Sequence, residues 1–133
     1  MNPYYARVPQ RAFHRCEYCQ APENIFNCHF EVDHVRPVAN GGTIDLANLA
    51  LACPACNLYK SNAQSRFDDV SQDDVSLYHP RRDLWSEHFR LNPQTACIEG
   101  VTSQGRATVA QLQINHVVQV EARLLWIELG LFP

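Results

Sequence analysis

The sequence lacks an apolar run that approaches the roughly 18 residues needed to span a membrane. Its most apolar segment, residues 124–132, is interrupted by Glu128 and Gly130. The first 13 residues contain Arg7 and Arg11, but no apolar stretch follows them as it would in a secretory signal peptide. These absences argue against a membrane or secreted protein, and we expect a cytoplasmic location.

The chain also lacks the excess of positive charge that many nucleic-acid-binding proteins carry, since its formal net charge is −3. Residues 1–66 contain six basic and five acidic residues, a net charge of +1. Residues 67–133 contain five basic and nine acidic residues, a net charge of −4. A broad phosphate-binding face is therefore not expected in the second half, and any phosphate contact requires a local patch of charge.

Internal repeats and low-complexity tracts are absent as well, and 133 residues suit one compact domain. The polar and acidic segment 68–74 predicts a surface connection, and the chain is expected to divide near residues 62–76. We therefore expect a core over residues 1–66 and a C-terminal α/β extension over residues 67–133 that packs on this core.

Hydrophobic periodicity predicts several short elements. Alternation over residues 27–35 predicts a strand, and residues 54–64 are compatible with a helix. In the second half we predict strands over 85–91 and 96–101, a turn at 103–105, and helices over 108–115 and 117–129. This second half contains no catalytic constellation and is expected to be packing structure.

Cysteine is well represented, with six residues in the chain. Four of them form two Cys-x-x-Cys pairs with 33 residues between the pairs, namely Cys16 with Cys19 and Cys53 with Cys56. Two such pairs complete the tetrahedral ligand set of a structural zinc ion. Buried free thiols and a redox-active pair are the alternatives. Cys28 and Cys97 have no partner at ligand spacing and are predicted to be small core residues.

Three further motifs follow the first cysteine pair. They are Val-Asp-His-Val-x-Pro at residues 32–37, Asn-Gly-Gly at 40–42 and Asn-Leu-x-Leu-x-Cys-x-x-Cys-Asn-x-x-Lys at 48–60. With the first pair, this order and spacing resembles the zinc-framed type of HNH endonuclease over residues 13–62. The resemblance implies an α+β fold with a small ββα-metal core of the His-Me finger type and a four-cysteine zinc site. The C-terminal strand-helix extension lies outside it.

The resemblance also implies a metal-dependent endonuclease that hydrolyses phosphodiester bonds in DNA. Such a reaction needs a base for the attacking water and positive charge near the phosphate and the leaving oxygen. His34 suits the general base. Asp33 and Asn57 are expected to supply oxygen ligands to one Mg²⁺ or Mn²⁺ ion. Asn57 departs from the form of the motif that ends in histidine, and Asn48 is expected to brace the hairpin loop that orients His34.

Lys60 and Arg36 are candidates for contacts to phosphate, although each could equally be a solvated charge. The segment Tyr78-His79-Pro80-Arg81-Arg82 joins aromatic and basic residues that could touch a nucleic-acid backbone, or it could simply be a loop. Taken singly, the histidine, aspartate and asparagines of the motifs also have ordinary structural interpretations, such as turn or helix-cap residues.

Two other functions compete with nuclease activity. One is a zinc-stabilised nucleic-acid-binding module with weak or no catalysis, which the acidic second half favours. The other is a thiol switch that uses the two cysteine pairs. The sequence offers no recognition domain of a familiar type, so a homodimer or a targeting protein partner is a further expectation.

Overall fold

The computed structural model describes residues 3–133 and has a mixed α+β architecture. Within these residues the strands form three separate two-stranded antiparallel sheets. The helices and strands are, in chain order, α1 (Pro3–Arg11), β1 (Glu31–His34), β2 (Leu49–Ala52), α2 (Pro54–Lys60), β3 (Ser65–Asp68), β4 (Asp73–Ser76), α3 (Trp85–His88), β5 (Phe89–Leu91), β6 (Ile98–Gly100), α4 (Ser103–Gln111) and α5 (Val117–Glu128).

The first hairpin and the helix after it form the strand–strand–helix unit that the motifs predict. β1 pairs with β2 so that Asp33 lies opposite Ala50 and His34 lies opposite Leu49. β2 is buried along its whole length because α1 and α2 both contact it. α2 begins directly after Cys53, which caps the helix and is followed by proline at the first helical position, where its missing N–H costs nothing.

Residues 65–76 form a second hairpin, which was not predicted. In the segment 68–74, predicted as a surface connection, residues 69–74 are exposed and residues 69–72 form the turn of the hairpin. β3 pairs with β4, with Asp68 opposite Asp73. Asp68 is buried, because its carboxylate accepts two hydrogen bonds from Arg106 in α4, at 3.1 and 2.9 Å. This partner lies far along the chain, so the local acidic composition could not reveal it.

Two predictions in the second half need correction. The segment predicted as one strand over 85–91 begins with the helical turn α3, and strand β5 is limited to Phe89–Leu91. The predicted turn at 103–105 is the first turn of α4, because the Thr102 hydroxyl accepts a hydrogen bond from Gly105 N–H at 3.0 Å and caps the helix. The helix predicted over 108–115 therefore starts earlier and ends at Gln111.

Other expectations have mixed outcomes. Helix α5 occupies most of the range predicted for it. The prediction that Cys28 is a core residue is wrong, since its side chain is exposed, and Cys97 is half-buried. Helix α1 had no predicted counterpart, and its internal Pro9 is a residue that normally argues against a helix.

One cluster of buried side chains extends through both halves of the chain. Trp85 donates its indole N–H to the carbonyl of Tyr18 at 2.8 Å, and the rings of Phe26 and Trp126 lie with their centroids 5.9 Å apart. The predicted boundary between residues 66 and 67 lies inside β3. Among the described residues, no helix has the length and apolarity that crossing a membrane requires.

Candidate active site and metal centres

Two turns bring four buried cysteines into one group, the cysteine cluster of Cys16, Cys19, Cys53 and Cys56. In each pair the second cysteine donates its N–H to the first sulfur, at 3.5 and 3.4 Å. All four sulfurs lie within 4.8 Å of one another, and those of Cys19 and Cys53 are 3.7 Å apart. Tetrahedral zinc with Zn–S bonds of about 2.3 Å places its sulfurs roughly 3.8 Å apart. The cluster therefore fits a single metal ion held by both pairs.

The charge balance of the cysteine cluster also favours a cation. Hydrogen bonds among the sulfurs raise the pKa of the Cys19 and Cys56 thiols and lower that of Cys53. The buried thiols therefore cannot all ionise without positive charge between them. The buried guanidinium of Arg123 donates to two backbone carbonyls at 2.7 and 2.9 Å. Burial lowers the pKa of Arg123, and attraction from cysteines including Cys19 and Cys56 opposes this.

A separate cleft of about 350 Å³, the active cleft, opens where β1 ends. Asp33, His34 and Asn57 all line it, together with residues 37–39 and the end of α2. Asp33 and His34 are the last two residues of β1, whereas Asn57 lies in α2. Packing of the hairpin on the helix thus brings three of the predicted site residues to one surface.

His34 has an unsatisfied ring nitrogen. Its Nε2 atom is buried and has no hydrogen-bond partner within residues 3–133. The ring of Tyr5 packs against the imidazole edge-on, with centroids 6.4 Å apart. Leaving a buried polar atom without a partner costs about 1–3 kcal/mol. The imidazole lines the active cleft, while its Nε2 atom is itself buried.

Asp33 is oriented by two buried side chains. The Tyr18 hydroxyl donates to Asp33 Oδ2 at 2.7 Å, and the Lys60 ammonium lies 3.1 Å from the same oxygen. Burial, followed by the charge of Asp33, raises the pKa of Tyr18 well above its usual value, so the hydroxyl keeps its proton and remains a donor. Lys60 also donates to the carbonyl of His34 at 3.4 Å. The carboxylate is therefore held by the first cysteine turn and by α2 together.

Asn48 ties the two ends of the loop between β1 and β2. Its Oδ1 accepts from Arg36 N–H at 2.8 Å, and its Nδ2 donates to the carbonyls of Arg36 and Thr43 at 3.0 and 2.7 Å. Gly42 permits this closure, because a Cβ at that position would stand 1.7 Å from the Arg36 carbonyl oxygen. These are the bracing contacts expected of Asn48, while its contribution to catalysis stays a prediction.

The two residues predicted to contact phosphate have different environments. Lys60 is almost fully buried and paired with Asp33. Arg36 is exposed, and its Nε donates to the carbonyl of Asn40 at 2.7 Å, which holds the guanidinium over the loop. A direct phosphate contact remains a prediction for both, and in this arrangement Arg36 is the more accessible of the two.

Sequence reasoning missed Tyr18 and Glu17, the two residues between the first pair of cysteines. Glu17 accepts a hydrogen bond from Leu51 N–H at 2.8 Å and forms an ion pair with Arg81. The positions between zinc-type ligands carry no fixed residue type, so their chemistry gave no signal. One sequence feature could have indicated them. They lie in a tight turn close to the motif strand, where a polar side chain can contact that strand.

The donors in the active cleft fit a hard divalent cation. Carboxylate and amide oxygens are the ligands that Mg²⁺ and Mn²⁺ prefer, and Asp33 and Asn57 supply them from adjacent elements. Asp33 Oδ1 has only a long contact to Lys60, at 3.4 Å, so it is the less engaged of the two carboxylate oxygens. The Lys60 ammonium at Oδ2 supplies a balancing positive charge within the protein itself.

Comparison with known proteins adds one finding to this geometry. Residues 16–63 match the family model described as HNH endonuclease. The matched range contains all four residues of the cysteine cluster and every residue that lines the active cleft. No curated protein and no solved structure gives a significant match.

Proposed function

We propose that this chain, in which residues 16–63 form an HNH domain, is a metal-dependent endonuclease that hydrolyses phosphodiester bonds in DNA. The observation that carries the proposal is the lining of a single cleft by Asp33, His34 and Asn57. A proton acceptor and two oxygen donors for a hard cation are the minimum set that the hydrolysis requires, and this shared lining supports the proposal.

In the proposed mechanism His34 is the general base. Its imidazole, which lines the active cleft, accepts a proton from the attacking water. Asp33 and Asn57 would hold one Mg²⁺ or Mn²⁺ ion, which would supply positive charge to the scissile phosphate and the leaving oxygen. Asn48 keeps the loop after His34 closed and so limits the orientations open to the imidazole.

Tyr18 and Lys60 act on the reaction through Asp33. Their contacts at 2.7 and 3.1 Å fix the carboxylate Oδ2 and leave Oδ1 toward other partners. A ligand oxygen that is already oriented binds a metal ion with a smaller loss of side-chain freedom. Both are therefore proposed to be positioning residues, and Lys60 contributes its charge beside the reaction centre.

The cysteine cluster is proposed to hold a structural zinc ion, because its four-thiolate set leaves no ligand position open for chemistry. Reduced thiols are required for this, so we place the protein in the cytoplasm, where thiols are kept reduced. DNA is the proposed substrate. A second copy of the chain or a targeting partner is proposed to supply what this short chain lacks in sequence recognition.

A nucleic-acid-binding module without catalysis is the second candidate, and one contact favours it. Asp33, the proposed metal ligand, already has a buried ion pair with Lys60 and a hydrogen bond from Tyr18. If these contacts outcompete a divalent cation, the protein keeps the fold of a nuclease without its activity. Direct measurement of Mn²⁺ binding separates the two candidates.

The test follows cleavage of end-labelled duplex DNA over a series of Mn²⁺ concentrations. We expect Asn57→Ala to raise the Mn²⁺ concentration for half-maximal cleavage by at least about tenfold, because even outer partners of metal ligands contribute roughly 10–100-fold. Asn62→Ala, a change at an exposed asparagine near the same cleft, is the matched control. Wild-type protein that contains zinc but neither binds Mn²⁺ nor cuts DNA would support the binding module instead.

A further inference from the structure

A second and larger cleft lies beside the loop between β1 and β2. This loop cleft has a volume of about 620 Å³. One wall comes from the HNH domain and includes Arg36, residues 41–43 and Lys60. The other wall comes from the segment after β4 and includes His79, Arg82 and Asp83. The cleft thus joins the predicted phosphate-contact residues to the basic segment 78–82, which the proposed reaction does not use.

Some of the charged side chains that line the loop cleft are already paired within the protein, and others are free to bind a ligand. Its lining contains three cationic side chains and two carboxylates, Asp45 and Asp83. Asp83 is partly satisfied within its own turn, because its Oδ2 accepts a hydrogen bond from His79 N–H at 2.8 Å. Lys60 is paired with Asp33. The exposed cations of Arg36 and Arg82 therefore remain for an anionic ligand, and Asp45 is an opposing charge in the same lining.

His79 adds a neutral hydrogen-bond donor to these cations. Its Nδ1 accepts a hydrogen bond from Arg81 N–H at 3.2 Å, which leaves the proton of the neutral ring on Nε2. Burial, and then the charges of Arg82 and Lys60, lower the pKa of His79, so the ring is neutral near pH 7. A fixed imidazole N–H next to exposed guanidinium groups is suited to an oxyanion such as phosphate.

The loop cleft is also linked to the active cleft. Lys60 lines the loop cleft, and its ammonium contacts Asp33, which lines the active cleft. The two clefts therefore lie on either side of one buried ion pair. A strand whose phosphodiester occupies the active cleft has neighbouring phosphates that must cross the adjoining surface.

We propose that the loop cleft binds a backbone phosphate of the DNA strand that flanks the bond to be cut, with Arg82 and His79 as its ligands from the C-terminal half. This inference rests on the proposed function, because it assigns a second contact to the same substrate. It gives the acidic half of the chain a direct part in substrate binding through a small local group of donors. The contact reads the backbone and carries no base specificity.

The test measures binding of a fluorescein-labelled 20-base-pair duplex by anisotropy over a series of salt concentrations. No Mg²⁺ or Mn²⁺ is added, so that cleavage does not occur, and no chelator is used, so that the cysteine cluster keeps its metal. Each phosphate contact contributes about 0.9 to the slope of log affinity against log salt. Arg82→Ala is expected to weaken binding several-fold and to reduce this slope by about one contact. The matched control is Arg90→Ala, which removes the same charge at an exposed residue outside both clefts.

Each outcome decides the proposal. A reduced slope for Arg82→Ala together with an unchanged slope for Arg90→Ala supports it, and Arg82→Lys should restore part of the loss because it restores the charge. Equal slopes for wild type and Arg82→Ala overturn the loop cleft, even if wild type cuts DNA. If wild type binds with the expected dependence on Arg82 but never cuts, the proposed catalysis fails while the loop cleft stands.

Discussion

At the residue scale, the central feature is a buried carboxylate that is oriented before any metal binds. Asp33 is held by Tyr18 from the first cysteine turn and by Lys60 from α2. The motif residues were predictable because the chemistry of hydrolysis demands their types. Tyr18 and the burial of Lys60 were not, because only the folded packing of the turn, β1 and α2 brings these groups together.

Replacement of Tyr18 by phenylalanine tests this orientation. A hydrogen bond to a charged group contributes about 1.5–3 kcal/mol, so its loss is expected to slow cleavage roughly tenfold or more if that energy orients Asp33. Zinc content should not change, because the cysteines remain. The measurement is the initial cleavage rate at several Mn²⁺ concentrations, with Tyr59→Phe as the control at a tyrosine outside both clefts. Equal loss in both variants would contradict a specific role for Tyr18.

Replacement of Asn48 tests the loop brace. Asn48→Ala removes one acceptor and two donors that satisfy backbone groups of the loop. We expect the free energy of unfolding to fall by about 1–3 kcal/mol, the cost of leaving buried polar groups without partners. Urea denaturation measures this change, and Asn62→Ala should leave the midpoint nearly unchanged because that side chain is exposed. An unaltered midpoint for Asn48→Ala would mean that the loop closes without its brace.

At the element scale, the two cysteine turns join segments that are far apart in the chain. The first turn precedes β1, and the second begins α2 through the cap at Cys53. A metal bound here therefore fixes the hairpin against the helix. This arrangement was predictable from spacing alone, because two Cys-x-x-Cys turns have few other uses in a reducing environment.

Loss of one ligand should therefore release the metal and unfold the domain. Structural zinc contributes about 10 kcal/mol or more in small zinc domains, which is comparable to the whole net stability of a typical protein. We expect Cys53→Ser to bind much less than one zinc per chain and to lose its cooperative thermal transition. Metal analysis and circular dichroism provide the measurements. Cys28→Ser is the control, since Cys28 is exposed and outside the cluster, and it should retain both properties.

A second link between elements is the ion pair from β3 to α4. The Arg106 guanidinium lowers the pKa of Asp68 well below its ordinary value through their hydrogen bonds. The stabilisation is fully present above the ordinary carboxyl pKa of about 4 and is lost as the pH falls below it. We expect Arg106→Ala to lower the melting temperature by about 2–5 °C at pH 7. Arg90→Ala removes an exposed pair at 3.4 Å and should have almost no effect, so equal shifts would contradict this account.

Helices and strands were predicted correctly where the residues that determine them lie within the element itself. β1 and α2 were located because alternation and the cysteine cap lie within their own segments. The first turn of α4 was predicted as a turn because Gly105 outweighed the capping signal of Thr102. The hairpin over 65–76 was missed because burial of Asp68 depends on Arg106, which no local pattern could supply.

At the scale of the whole molecule, the C-terminal half packs against the segment 16–63 that matches the HNH endonuclease model. Trp85 donates a hydrogen bond to the backbone carbonyl of Tyr18, and Arg81 forms an ion pair with Glu17 in the same turn. The half predicted as packing structure therefore braces the residue that orients Asp33. Composition alone showed that this half is acidic, but it could not show that His79 and Arg82 gather at one cleft.

The most direct test of the central claim is nicking of supercoiled plasmid by zinc-loaded wild type and by zinc-loaded His34→Ala, each with Mg²⁺, with Mn²⁺ or without any added divalent metal. His29→Ala serves as the control for loss of an exposed histidine in the same segment. The account predicts that wild type and His29→Ala nick the plasmid only with an added divalent metal, and that His34→Ala is slower by about 100-fold or more. Cleavage by His34→Ala at the wild-type rate would contradict the assignment of His34 as the base.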